Sequence, residues 1–120
     1  KQRILIIEDS ADIRETTAEL LELSGYEVQT AADGLEGIRA LKHHPVDLII
    51  CDIMMPHLDG FGVLQVLAQD PEWSQIPFIF LTAKTDRMDM RRGMDMGADD
   101  FLTKPFFFKT YRISQQLQGF

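Results

Sequence analysis

Five residues able to do chemistry sit at matching places in this chain. Glu8 and Asp9 follow the apolar run Ile4-Leu5-Ile6-Ile7. Asp52 follows Leu48-Ile49-Ile50-Cys51, and Thr82 follows Phe78-Ile79-Phe80-Leu81. Lys104, with Pro105 behind it, follows the weaker run Phe101-Leu102-Thr103. If the runs are parallel strands, all five emerge on one edge of one sheet, the edge that forms the ligand crevice in open α/β sheets. Three carboxylates at one place repel, so the cluster must hold a proton or a cation. An all-oxygen donor set suits a hard divalent ion, and Mg2+ takes one or two carboxylates and leaves room for a phosphate oxygen. Glu8, Asp9 and Asp52 thus read as a Mg2+ site. A second reading stands beside it: Glu8 and Asp9 merely open the first helix, where acids favour the positive end of the dipole. Lys104 adds weight to the first. With a metal present, a lysine on a second side and the Thr82 hydroxyl on a third complete a phosphoryl site, stabilised by placement and charge neutralisation. Asp52 would be its nucleophile, since carboxylates form acyl-phosphate intermediates.

The elements that would position these residues alternate along the chain. Ile13, Thr17, Leu20, Leu21 and Ser24 follow helical spacing, so residues 11–24 read as an amphipathic helix with Gly25 as a left-handed stop. Residues 26–31 alternate as a second strand. Asp33 and Glu36 make a capping-box-like start to a helix running to about His44, with Pro45 beyond it. Residues 54–60 form a loop by their Pro and Asp-Gly signals. A third helix covers 61–69 and breaks at Asp70-Pro71. A fourth spans 87–96 and closes at Gly97, a short strand follows at 99–103, and a last helix comes after Phe106. Five βα units with near-continuous aliphatic strands require a parallel sheet covered on both faces. Crossovers are right-handed. The expected fold is a doubly wound three-layer α/β sandwich in one domain, residues 1–120.

Bulk properties exclude several classes. At 120 residues with 45% hydrophobic content the chain supports one real core. No apolar run reaches the roughly 18–20 residues of a membrane span, and no signal peptide opens it. A net charge of -7 argues against direct nucleic-acid binding and fits a cation or a basic partner surface. The single cysteine, Cys51, cannot form an internal disulfide, which suits a reducing cytoplasm, and it reads as a small core residue.

The motifs, in order, are Ile7-Glu8-Asp9, Asp52 with Met54-Met55-Pro56 and Asp59-Gly60, Leu81-Thr82-Ala83, Gly97-Ala98-Asp99-Asp100-Phe101, and Lys104-Pro105-Phe106. With these the chain resembles the receiver domain of a two-component response regulator over residues 1 to about 107. The resemblance implies a flavodoxin-like five-stranded parallel sheet of order 2-1-3-4-5. It implies that Asp52 accepts a phosphoryl group from a histidine kinase or histidine phosphotransfer protein. Asp9 and Asp52 would bind Mg2+ directly, Glu8 through water and Met54 through its backbone carbonyl. Lys104 would contact the phosphoryl group, and Thr82 would move toward it with the Ala83 amide also donating. Phe101 holds the aromatic switch position and would turn inward as Thr82 moves. The Lys104-Pro105 bond would be cis. The surface of the fourth helix, fifth strand and fifth helix would carry the signal to an output domain or partner. Met54 and Lys84 hold the positions that set autodephosphorylation in the family.

Other residues read more plainly. His43 and His44 complement a helix dipole, and His57 is an exposed loop residue beside Asp52. Gly62 and Gly93 interrupt helices, with close packing as the only evident reason. Of the methionines in the fourth helix, Met90 and Met94 are one turn apart and read as a core face. The last helix departs from the family pattern: Phe108 and Tyr111 fall on one side, Ile113, Leu117 and Phe120 on another. Either that helix bends or one apolar side meets a partner, a second copy of the chain among the candidates. The domain either stands alone or is the front part of a longer regulator. Alternative functions are a phosphorylation-independent adaptor and an aspartyl-phosphate phosphatase. The second would need another aspartate where Met54 stands, and a cap domain.

Overall fold

The computed structural model describes residues 1–82, 87–104 and 110–118. Five strands alternate with five helices: β1 (Arg3–Ile7), α1 (Ala11–Leu23), β2 (Glu27–Ala31), α2 (Gly34–His43), β3 (Leu48–Asp52), α3 (Gly60–Ala68), β4 (Phe78–Thr82), α4 (Arg87–Asp95), β5 (Asp100–Thr103) and α5 (Thr110–Leu117). The strands form one parallel sheet of order β2-β1-β3-β4-β5. The expected doubly wound three-layer architecture is the one found.

The layering follows from the two-residue period of a strand, which sends successive side chains to opposite faces. Leu5, Ile7, Ile49, Cys51, Phe78, Phe80 and Phe101 point to one face and pack with Leu41 of α2, Phe61, Val63, Leu64 and Leu67 of α3, and Met90 of α4. Ile4, Ile6, Leu48, Ile50, Ile79, Leu81 and Leu102 point to the other and pack with Leu21 of α1 and Ile113 of α5. The central strands are therefore apolar at every position between their polar ends, Arg3 of β1, Asp52 of β3 and Thr82 of β4, as a sheet covered twice demands.

Local signals set the helix ends. The Ser10 hydroxyl caps α1 and the Asp33 carboxylate caps α2, accepting from Glu36 N at 2.9 Å. Asp59 caps α3, which begins one residue earlier than expected. Gly25 and Gly97 close α1 and α4 at φ 97° and 105°. A 3-10 turn, Trp73–Gln75, was not foreseen. Asp70 builds it by accepting from the amides of Glu72 and Trp73 at 2.9 and 3.1 Å.

One expectation about helix faces changes, on α4, and on α5 the structure shows which of the two apolar sides meets the sheet. On α4 the buried centre is Gly93, with Met90 and Met96 half-buried on either side and Met94 turned out, about half exposed. Steps of 100° per residue put Met90 and Met96 each about 60° from Gly93, and Met94 about 100° away. On α5, Ile113 is fully buried, Leu117 packs beside it, and Tyr111 faces out. Phe106, Phe107, Phe108 and Phe120 lie outside the described residues.

Candidate functional site

Strand register alone collects the site. Ile7 is level with Cys51, so Glu8 and Asp9 leave β1 beside Asp52 at the end of β3. Asp52 is level with Leu81, so Thr82 stands one residue further along. Thr82 pairs with Thr103, and the Lys104 amide donates to the Thr82 carbonyl at 2.8 Å. All five residues thus emerge at the carboxyl edge of the sheet, where β2-β1-β3 reverses the direction of winding.

Glu8 is buried and held at four points. Its amide donates to the Ala31 carbonyl at 3.0 Å, and its own carbonyl accepts from Arg14 Nη1 at 2.9 Å. Its Oε2 accepts from Ser10 N at 3.0 Å, and its Oε1 pairs with Lys104 Nζ at 2.5 Å. Asp52 is 8% exposed. Its Oδ1 accepts from Ile53 N at 2.8 Å, which leaves Oδ2 toward Lys104 Nζ at 3.3 Å. Asp9 is exposed at the mouth. Glu8, Asp9 and Asp52 each offer an oxygen, and these oxygens lie within 4.8 Å of one another. That is the one such group among the described residues.

Burial pushes the Glu8 carboxyl up to about 7, although Lys104 and the Ser10 amide pull it down. Burial pulls Lys104 down, but Glu8 and Asp52 outweigh it and hold the ammonium above the ordinary lysine range. Cys51, fully buried, is pushed well up by burial and is inert as a nucleophile at neutral pH. Among the described residues, Lys104 is the cation paired with this group of three carboxylates. Their oxygen-only chemistry and spacing fit a divalent ion better than a second lysine would, since the exposed Asp9 leaves the mouth open.

Phe101 is 6% exposed, its ring already inside and its centroid 5.0 Å from that of Phe80. Gly93 makes the room: a Cβ there would lie 2.7 Å from the Phe101 ring and 2.8 Å from that of Phe80. The expected inward turn of Phe101 therefore has no outward starting position in this structure. Close packing also explains Gly62, whose Cβ would meet the Leu58 side chain at 2.5 Å. Met54 is exposed at the rim. Ala83, Lys84 and the Lys104-Pro105 bond lie outside the described residues or reach beyond them.

Sequence reasoning missed Arg14 and Ser10, which hold Glu8. It could have found Arg14 as a cation one helical turn inside α1, facing back over the strand it follows. Gly60, named as part of the motif after Asp52, proves to be packed so tightly that a Cβ would meet the Asp52 carbonyl and lie 2.9 Å from the Phe80 ring. Arg92 of α4 lies 4.1 Å over the Phe61 ring, a contact no local pattern announces.

Comparison with known proteins agrees with this geometry. A family model described as the response regulator receiver domain matches residues 4–117. The chain is 45% identical over 104 residues to the DNA-binding dual master transcriptional regulator RpaA of Synechocystis, covering 87% of this chain but 43% of that protein. The chain therefore spans well under half the length of that relative. Among solved structures, the chemotaxis protein CheY4 of Vibrio cholerae superposes with a TM-score of 0.89 at 31% identity, covering 97% of this chain and 98% of that one. The receiver domain of a Pseudomonas aeruginosa sensor histidine kinase superposes at 0.88 and 30% identity, covering 99% and 98%, and holds magnesium in its active site cleft. With this fold, this cluster and these relatives, the chain belongs to the receiver domains of two-component response regulators.

Proposed function

We propose that Asp52 is the phosphoacceptor of this receiver and that Lys104, Thr82 and the Ala83 amide read its charge. The observation that supports this most is the placement of Lys104 Nζ, 3.3 Å from Asp52 Oδ2 and 2.5 Å from Glu8 Oε1. Asp52 Oδ2 attacks the phosphorus of a phosphohistidine. A P–O bond forms, the P–N bond breaks, and the imidazole nitrogen leaves with the electron pair. Lys104 neutralises the incoming phosphoryl oxygens in a buried setting where charge counts for more than in water.

Asp9 and Asp52 would hold Mg2+ directly, Glu8 would act through water and Met54 would contribute its backbone carbonyl. When bound, the ion supplies the positive charge that offsets the acids and the phosphoryl oxygens. Phosphorylation adds roughly 1.5 to 2 negative charges beside Lys104. That charge draws the Thr82 hydroxyl in, and differential binding of a few kcal/mol shifts the population of the signalling surface on α4, β5 and α5. The donor is a histidine kinase or phosphotransfer protein. The output is a domain or protein downstream of the receiver; DNA binding, named for RpaA, would belong to that part.

The test is labelling from acetyl phosphate with Mg2+, followed by mass spectrometry. Wild-type chain gains one phosphoryl group and Asp52→Asn gains none. Labelling of Asp52→Asn to the wild-type extent overturns the assignment.

A further inference from the structure

His57 lies in the loop between Asp52 and α3, and its backbone is unusual. Its φ is 69°, the only positive value among described residues other than glycine. The Leu58 amide donates to the Pro56 carbonyl at 2.8 Å, closing a three-residue γ-turn around His57. A γ-turn with positive φ is rare and strained for an L side chain. Such conformations persist only where the surroundings over-determine them.

The surroundings do so from α2. His57 Nδ1–H donates to Asp33 Oδ2 at 3.0 Å, while the other oxygen of Asp33 caps α2 through Glu36 N. The carboxylate of Asp33 is held below the usual range, first by the Glu36 amide and next by His57, so it stays an acceptor at neutral pH. Beside it, Gly34 presses on the same loop. A Cβ there would meet the Leu58 carbonyl and lie 2.8 Å from Val63 Cγ2. At its far end the loop is closed by Gly60 N donating to the Ile53 carbonyl at 2.8 Å. The segment 53–60 is therefore pinned at His57 to the start of a helix that supplies none of the five residues gathered at the strand ends. That segment carries Met54.

We infer that His57 is a positioning residue: its bond to Asp33 clamps the γ-turn against α2 and so fixes the Met54 carbonyl at the metal-binding edge of Asp52. This rests on the metal reading proposed above. It assigns work to a side chain whose bond is to Asp33 of the α2 cap and not to a member of the Glu8, Asp9 and Asp52 cluster. It also makes the start of α2 part of the pocket's support.

Four variants test it, by calorimetric Mg2+ titration and by amide hydrogen exchange over residues 53–60. His57→Gly accepts the positive φ but loses the bond. Asp33→Ser keeps the α2 cap but is too short to reach His57. Each is expected to weaken Mg2+ binding up to about fivefold, the upper end for an ion pair whose imidazole is 65% exposed, and to speed exchange over 53–60. The double variant is expected to be no worse than either single one, because both remove one interaction. His57→Asn tolerates the backbone and can still donate, so it is expected to restore binding to within about twofold. Wild-type affinity and exchange in both His57→Gly and Asp33→Ser overturn the clamp, as does additive loss in the double variant. Absence of Mg2+ binding by the wild-type chain overturns the metal reading instead, and the clamp is then decided by exchange alone.

Discussion

Glu8 sits in a direct electrostatic conflict. It is a buried carboxyl between Lys104, which favours its charge, and Asp52, which opposes it. Burial prevails and raises its pKa from 4.5 to about 7. The folded protein then keeps a proton that the unfolded chain releases between those values. Stability in the absence of metal is therefore expected to fall as pH rises from about 4.5 to 7, by roughly 3 kcal/mol in the limit where no other group compensates. Urea unfolding in chelator at pH 5 and pH 7 measures this. Glu8→Gln should flatten the difference, and an unchanged slope in that variant would show that another group causes it. Mg2+ competes with the same proton, so its affinity is expected to rise through this window. Asp52, Lys104 and the acidic pair were legible in the sequence because chemistry-bearing residues stood at strand ends. Arg14, Ser10 and the His57–Asp33 pair were not, since a side chain's partner across a fold leaves no local mark.

At the scale of elements, α4 and α5 hold the sheet by different means. On α4, Gly93 is buried where Phe101 and Phe80 leave no space for a methyl group. Alanine is the better helix former by about 1 kcal/mol. Overpacking a core costs about 1–3 kcal/mol, so Gly93→Ala is expected to destabilise on balance. Denaturant midpoints decide the sign, and a stabilised variant would mean that the two rings move aside freely. On α5, Ile113 is buried and Arg112 Nε donates to Asp100 Oδ2 of β5 at 2.7 Å. Ile113→Ala is expected to cost about 2–5 kcal/mol. Arg112→Ala, part of a half-exposed ion pair, should cost no more than about 1 kcal/mol, and less in high salt. If the arginine variant costs more, the ion pair rather than the apolar contact seats this helix. The two apolar sides of α5 were readable by the helical period. Which side faced the sheet was not, because Tyr111 and Ile113 were equally apolar candidates and only the docked helix distinguished them.

For the whole molecule, ligand binding and folding are linked. An ion that binds only the folded state stabilises it by mass action, about 1.4 kcal/mol at ten times its dissociation constant. Mg2+ is therefore expected to raise the melting temperature by several degrees. Asp9→Ala or Asp52→Ala should abolish the increase, and scanning calorimetry with and without the ion measures it. A similar rise in both variants would place the binding elsewhere. No described helix is long and apolar enough to cross a membrane, and the chain spans 43% of the length of RpaA.

The two covered faces and the gathering of Glu8, Asp9, Asp52, Thr82 and Lys104 were legible in the sequence itself, and the strand order came with the family resemblance that the ordered motifs carry. Strand and helix periods, caps and the ordered motifs are local properties, and parallel register then leaves one edge for all five residues. The tertiary structure alone decided which carboxylate oxygen meets Lys104, that the Phe101 ring lies inside over Gly93, and that α2 grips the loop after Asp52. These are contacts between residues far apart in the chain. Their energies depend on distances of a few tenths of an ångström, which spacing along a sequence does not encode.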